Sequence, residues 1–180
     1  MFTYQLDEHS ELRLLGIQHA EELYALTDSC RTYLREWLPW VDATKSVEDS
    51  RSFIQMTLEQ YARSDGFRAG IWHKGQLAGC IGFHGINRNN SSTSIGYWLG
   101  EDFQGNGLMA KACAALIHHA FTELGLNRVE IRAAVENRKS RAVPLRLGFT
   151  EEGCIRHNER LHGRYVDHVV YGLLREEWQG

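Results

Sequence analysis

The chain reads as an α+β protein in three layers: a mixed, mostly antiparallel sheet with helices on both faces. Three observations predict this. Strand-like runs follow one another directly at two places, which predicts hairpins. One strand–helix–strand unit surrounds a glycine-rich turn, which predicts a single parallel crossover. The periods alternate in the order strand, helices, three strands, helix, strand, helix, two strands. With 180 residues, two prolines and no repeats or linkers, residues 1–180 are expected to form one domain.

Leu12 to Leu15 ends a first strand. Gln18 to Leu26 places Ala20, Leu23, Tyr24 and Leu26 at helical spacing. Arg31 to Trp40 carries Tyr33, Leu34, Trp37, Leu38 and Trp40, and Pro39 ends that helix. Ser46 with Asp49 predicts the cap of a helix running to Ala62, with Phe53, Ile54, Leu58 and Tyr61 on one face. The period then changes to two. Arg68 to His73 and Gln76 to Phe83 are strands joined by a tight turn at Lys74-Gly75, and Ser92 to Leu99 is a third. Leu108 to Leu124 is a helix with Met109, Cys113, Leu116, Ile117, Ala120, Phe121 and Leu124 inward, and Gly125 stops it. Arg128 to Val135 is a strand and Ser140 to Leu147 a short helix. Gly153 to His157 and Tyr165 to Leu174 are the last strands.

The net charge of −3 argues against broad nucleic-acid or membrane-surface binding. No apolar run is long enough to span a bilayer, and Met1 to Gln5 lacks the layout of a secretory signal. A cytoplasmic location is therefore expected. Cys30, Cys80, Cys113 and Cys154 form no C-x-x-C, which predicts reduced, buried thiols. None of the nine histidines sits in a metal-binding spacing, so no metal is expected.

Gln104-Gly105-Asn106-Gly107-Leu108-Met109-Ala110 carries the chemistry. It follows the apolar run Ile95 to Leu99 and opens a long helix. The first N–H groups of a helix have no intrahelical partner, the dipole is positive there, and glycine lets a phosphate approach the backbone. Several readings compete. Gly100 and Gly105 have Walker A spacing, but Asn106 and Gly107 stand where lysine and a hydroxyl are needed. Gly105, Gly107 and Ala110 match the dinucleotide fingerprint, with Glu130 downstream. However, the strand ends at Leu99, before the first glycine, and Glu130 falls inside a strand. A third pattern is Q/R-x-x-G-x-G/A, matched by Gln104 and Gly107 with Met109 at its last position. An ordinary glycine turn before a helix is the fourth.

A second segment narrows the choice. After the strand Val129 to Val135 come Asn137, Arg138, Lys139 and Ser140, then Leu147-Gly148-Phe149 and Glu151-Glu152-Gly153. The two segments together, in this order and separation, resemble the GNAT superfamily of acetyltransferases over nearly the whole chain. Trp37-Leu38-Pro39-Trp40, Ile95 to Leu99, Arg141-Ala142-Val143 and Gly163 to His168 are similar to the Rim-type branch, which acetylates ribosomal-protein N-termini. Many GNAT enzymes place an acidic tyrosine where this chain has Pro144.

The resemblance implies transfer of an acetyl group from acetyl-coenzyme A to a primary amine, with a protein N-terminus as acceptor and a homodimer as assembly. A small amine such as a polyamine or aminoglycoside is the alternative acceptor, since one fold serves many. A coenzyme A-binding sensor without turnover is a further one. An α-amine titrates near about 7.7–8.0 and lysine near about 10.4, so an N-terminus needs only a modest base. By resemblance that base is Glu159, with His157, His162 and His168 as a substitute cluster. The same likeness gives Ser140 the leaving thiolate, Asn137 a cofactor contact, and Gln104 to Ala110 the pyrophosphate. Trp98 and Leu99 lie at the strand end whose backbone, as far as Gly100, meets the thioester oxygen. Trp37 and Trp40 either wall the acceptor side, as in relatives, or serve in core packing or a subunit contact.

Overall fold

A computed structural model describes residues 3–180. Its elements are β1 (Thr3–Asp7), β2 (Ser10–Leu14), α1 (Ala20–Ser29), α2 (Arg31–Arg35), α3 (Val47–Ala62), β3 (Arg68–His73), β4 (Gln76–Asn87) and β5 (Ser92–Leu99). There follow α4 (Leu108–Thr122), β6 (Arg128–Ala134), α5 (Arg138–Arg146), β7 (Thr150–Leu161) and β8 (Arg164–Leu174). The strand order is β1-β2-β3-β4-β5-β6-β8-β7. β5 and β6 pair in parallel, in the register Ser92 with Arg128. The pairs β1–β2, β2–β3, β3–β4, β6–β8 and β7–β8 are antiparallel. The α+β class, the mixed sheet and the single parallel crossover through α4 match the sequence reading.

Several elements differ from it: β4 continues to Asn87, β7 runs Thr150–Leu161 rather than Gly153 to His157, and three more differ for visible reasons. β1 is an additional edge strand; its side chains are exposed or half-buried, so it carries no alternating apolar signal. α2 stops at Arg35 instead of running to Trp40. The N–H groups of Trp37 and Leu38 both turn back to the carbonyl of Leu34, at 3.2 and 3.0 Å, and Pro39 offers no donor to continue. α5 begins at Arg138, two residues before Ser140, because Asn137 caps it.

The chain divides into two compact units. The first holds the residues up to Gly82 with Tyr97–Ala112. Its core gathers Leu15, Ala20 and Leu23, Ile54 of α3, Trp72 of β3, and Leu77 and Cys80 of β4. α3 starts at Ser46 in a capping box: Asp49 Oδ2 accepts the Ser46 N–H at 2.9 Å. Ile54 is fully buried, whereas Tyr61, expected on the same face, is largely exposed. Lys74 and Gly75 turn β3 into β4 with both φ angles positive, at 50° and 79°.

The second unit holds Phe83–Gly96 and Cys113–Gly180. Leu116, Ile117 and Phe121 of α4, Val129 and Ile131 of β6 and Tyr171 of β8 are buried. Arg141 ties α5 down: its Nε donates to the Tyr171 hydroxyl and its Nη1 to the Val135 carbonyl, each at 2.8 Å. Arg128 on β6 reaches over Gly172 to hold both carboxylate oxygens of Glu152 on β7 at 2.7 Å. The predicted burial holds for Cys30, Cys80 and Cys113; Cys154 is exposed, because it lies on β7 at the sheet edge.

Candidate active site

In the first unit, Gln104 to Ala110 runs from the end of β5 into α4. Gly105 and Gly107 adopt φ of 82° and 66°, and a Cβ at either would meet no atom within 4 Å. The backbone there is bare, and only glycine reaches these angles without strain. The helical ladder begins with the Lys111 N–H donating to the Gly107 carbonyl at 3.2 Å. The N–H groups of Leu108, Met109 and Ala110 precede that bond and point out of the helix end. Bare glycines beside the first donors of a helix, at its positive dipole end, suit a pyrophosphate. Leu108 and Met109 are buried by their side chains, so they offer backbone only.

Side chains anchor this loop. Gln104 Nε2 donates to the Tyr33 hydroxyl on α2. Lys111 Nζ, one turn into α4, binds Asp7 Oδ2 at 2.6 Å and holds that carboxyl far below its usual range. An open pocket of about 470 Å³ lies against the loop, lined by Asp7, His9, Ser10, His73, Asn106 and Lys111 among others.

Trp98 and Leu99 end β5. The Trp98 side chain packs against the core, and its ring lies 5.7 Å from that of Trp40, tilted by 52°. The backbone of β4 passes so close that a Cβ on Gly79 would sit 2.1 Å from the Trp98 carbonyl oxygen and 2.9 Å from Leu99 Cα. The Gly100 N–H donates to the Ala78 carbonyl at 2.8 Å, so of the stretch 98–100 this donor is already engaged.

The remaining candidates lie in the second unit. Asn137 is the N-cap of α5, and its Oδ1 accepts the Ser140 N–H at 3.1 Å. The cap of α5 is thus Asn137, while Ser140 stands at the third helical position. Asn137 keeps its Nδ2 for donation. Pro144 lies buried inside α5.

Glu159 sits on β7, not in a loop, and its Oε1 is 3.8 Å from His168 Nε2 on β8. Its side chain is 33% exposed, and burial pushes its carboxyl above the usual range. No arginine pairs with it among the described residues. Burial, with Arg132 second, holds His168 below its ordinary value, so the ring is neutral at neutral pH. Of the three histidines the structure places His168 beside Glu159, whereas His157 stacks on Tyr165 at 5.1 Å.

A bulge sets this arrangement. Between the pairs Ile155–His168 and Glu159–Val166, three residues of β7 face one of β8. His157 takes φ of 51°, and its N–H is captured by Asp167 Oδ1 at 2.8 Å. Asn158 Nδ2 donates to His168 Nδ1 at 2.9 Å. Asn158 and Asp167 were not legible as site residues, because Arg156 to Arg160 is polar throughout and carries no sign of the bulge. Among the described residues no group of His, Cys, Asp and Glu is arranged to hold a metal, and no helix is long and apolar enough to cross a membrane.

Comparison with known proteins agrees with these two segments. Residues 10–150 match the acetyltransferase (GNAT) domain family. The chain is 42% identical to YdaF of Bacillus subtilis (strain 168), covering 100% of this chain and 99% of that one. It is 35% identical to the ribosomal-protein-serine acetyltransferase of Escherichia coli (strain K12), covering 96% of each. The structure of RimL, a ribosomal L7/L12 α-N-protein acetyltransferase in complex with coenzyme A, superposes with a TM-score of 0.92 at 31% identity, over 96% of this chain and 98% of that one. With its glycine-rich helix start and its Asn-capped α5 in place, the chain belongs to the GNAT acetyltransferase family.

Proposed function

We propose that the protein transfers the acetyl group of acetyl-coenzyme A to the α-amine of a ribosomal protein, with Glu159 as general base. The observation that carries this reading is the half-buried Glu159 carboxylate, raised in pKa and unpaired with any arginine among the described residues. Such a base suits an α-amine near about pKa 7.7–8.0 and would strain to deprotonate lysine. The acceptors of the Escherichia coli relative and of RimL point to the same class.

In this reading the N–H groups of Leu108 to Ala110, with Gly105, Asn106 and Gly107, hold the pyrophosphate, and Gln104 braces the loop on Tyr33. Asn137 Nδ2 donates to the pantetheine arm. Glu159 takes one proton from the ammonium, directly or through a water, and frees the nitrogen lone pair. The nitrogen attacks the thioester carbonyl, whose oxygen gains charge near the backbone of Trp98 and Leu99. The C–S bond breaks, and the thiolate, near about pKa 8.5, leaves with a hydrogen bond from Ser140. The reading also includes a cytoplasmic setting, a homodimer and no direct nucleic-acid contact. Light scattering tests the dimer.

The decisive experiment follows thiol release from acetyl-coenzyme A with free-N-terminus Ser, Ala and Met peptides, an N-blocked lysine peptide, spermidine and an aminoglycoside. Release with free α-amines alone is expected. Release with spermidine or the aminoglycoside instead would move the function to small-molecule modification. Binding without release to any acceptor would favour a sensor.

A further inference from the structure

Asn158, Glu159 and His168 form a chain of three side chains that the function above uses at only one link. Asn158 Nδ2 donates to His168 Nδ1 at 2.9 Å. An Nδ1 that accepts leaves the ring proton on Nε2, so the neighbour fixes the tautomer. Nε2 is the atom that faces Glu159 Oε1, 3.8 Å away. The His168 side chain is only 13% exposed, so the ring has little freedom to turn. His168 is paired with Ile155 and Glu159 with Val166, yet across the bulge the consecutive residues Asn158 and Glu159, which a regular strand would send to opposite faces, both bring their side chains to this one histidine.

We propose that His168, its tautomer fixed by Asn158, is a positioning residue that aims its Nε2–H at Glu159 and holds that carboxylate in place to receive the proton of the acceptor amine. This inference rests on Glu159 being the base. A contact of 3.8 Å is longer than a hydrogen bond. Catalytic contacts of this kind tighten when substrate fills the site. In the step itself an N–H bond of the ammonium breaks and an O–H bond to Glu159 forms. His168 keeps its proton throughout. The charged groups facing His168 are Glu159 from β7 and Arg132 from β6, and Arg132 is itself paired with Glu130 at Oε1. A neutral ring with its proton on Nε2 is a donor that favours the carboxylate anion without adding a charge.

The test is the pH dependence of kcat/KM for wild type, Glu159→Gln, His168→Phe, His168→Gln and Asn158→Ala, with acetyl-coenzyme A affinity measured alongside. His168→Phe keeps the ring's bulk and loses the donor. The expected result is a fall in kcat of about tenfold and a shift of the acid limb to higher pH, with cofactor affinity unchanged. His168→Gln restores an N–H donor and should return the limb towards wild type. Asn158→Ala releases the tautomer and should shift the limb as His168→Phe does; it also reports if the phenylalanine variant fails to fold. If His168→Phe leaves the limb unmoved, or glutamine performs no better than phenylalanine, His168 is packing alone and the proposal falls while Glu159 stands. Full activity in Glu159→Gln would overturn the base and this inference together.

Discussion

The amide of His157 donates to Asp167 Oδ1 at 2.8 Å, across the one place where β7 and β8 lose register by more than a single residue. A non-glycine residue at φ of 51° is held there by a side chain of the opposite strand. The bulge re-aims the following side chains, as bulges near functional sites do. It is what turns Asn158 and Glu159 towards His168.

Asp167→Ala removes that acceptor and leaves the His157 amide to solvent. The bond is exposed, so the stability loss should be about 1 kcal/mol. The loss in kcat should be larger in proportion, about tenfold, because Glu159 no longer has a fixed direction. Urea denaturation and steady-state kinetics on the same preparation check the two effects. A variant that loses stability and keeps kcat would detach the bulge from catalysis.

The sequence carried the sheet well because its buried strands are long and apolar. Gln76–Phe83 and Ser92–Leu99 were readable from their period, although β4 continues to Asn87. β1 was invisible because an edge strand with almost no buried side chain has no period to read. The glycine loop was legible because its chemistry is local: backbone donors, a helix start and two glycines lie within seven residues. The proposed base, Glu159, was named by resemblance alone. Its partners were not legible, since tertiary pairing of β7 with β8, and a bulge within it, puts Asn158, Glu159 and His168 together.

Glu159→Gln should raise thermal stability at neutral pH while it lowers turnover. Burial raises the carboxyl's pKa, so the folded state binds that proton more tightly than the unfolded chain. The stability gained by protonation is present below the unfolded value and is lost as pH rises through the folded one. Wild type has therefore lost it at pH 7, and glutamine, never charged, has not. The Tm difference between variant and wild type should be positive at pH 7–8 and shrink below about pH 4.5. The kcat loss should reach about 100-fold or more. An equal Tm at every pH would show that the carboxylate is not strained by burial.

Thiol titration of the native protein should modify Cys154 first. It is exposed on β7, whereas burial pushes the Cys80 thiol up to about 12 and Cys113 higher still. Cys80 and Cys113 should react only after unfolding. Native-state reaction at either, read by peptide mass, would mean that the buried core around it opens locally.

Gly79→Ala should be among the most damaging small substitutions in the chain. Its Cβ would meet the backbone of Trp98 and Leu99, which cannot swing aside as a side chain can. Overpacking of this kind costs about 1–3 kcal/mol, and a backbone obstacle places it at the upper end. Because the displaced segment ends at the proposed acyl site, KM for acetyl-coenzyme A should rise as well. Denaturant midpoints and initial rates measure both.

Gly107→Ala separates strain from ligand contact. Alanine at φ of 66° costs about 1–2 kcal/mol, yet its Cβ meets no atom within 4 Å, so the fold accommodates it. Gly125, just past α4, has φ of 63° and equally open surroundings, and Gly125→Ala should lose similar stability. The two should part company in kinetics. A methyl group at 107 enters the space that a pyrophosphate needs, so KM for acetyl-coenzyme A should rise at least about tenfold, or about 1.4 kcal/mol of binding. At 125 it should not move, and neither change should alter the acceptor KM. Equal cofactor KM in the two variants would remove the glycine loop from pyrophosphate binding, whatever its sequence suggests.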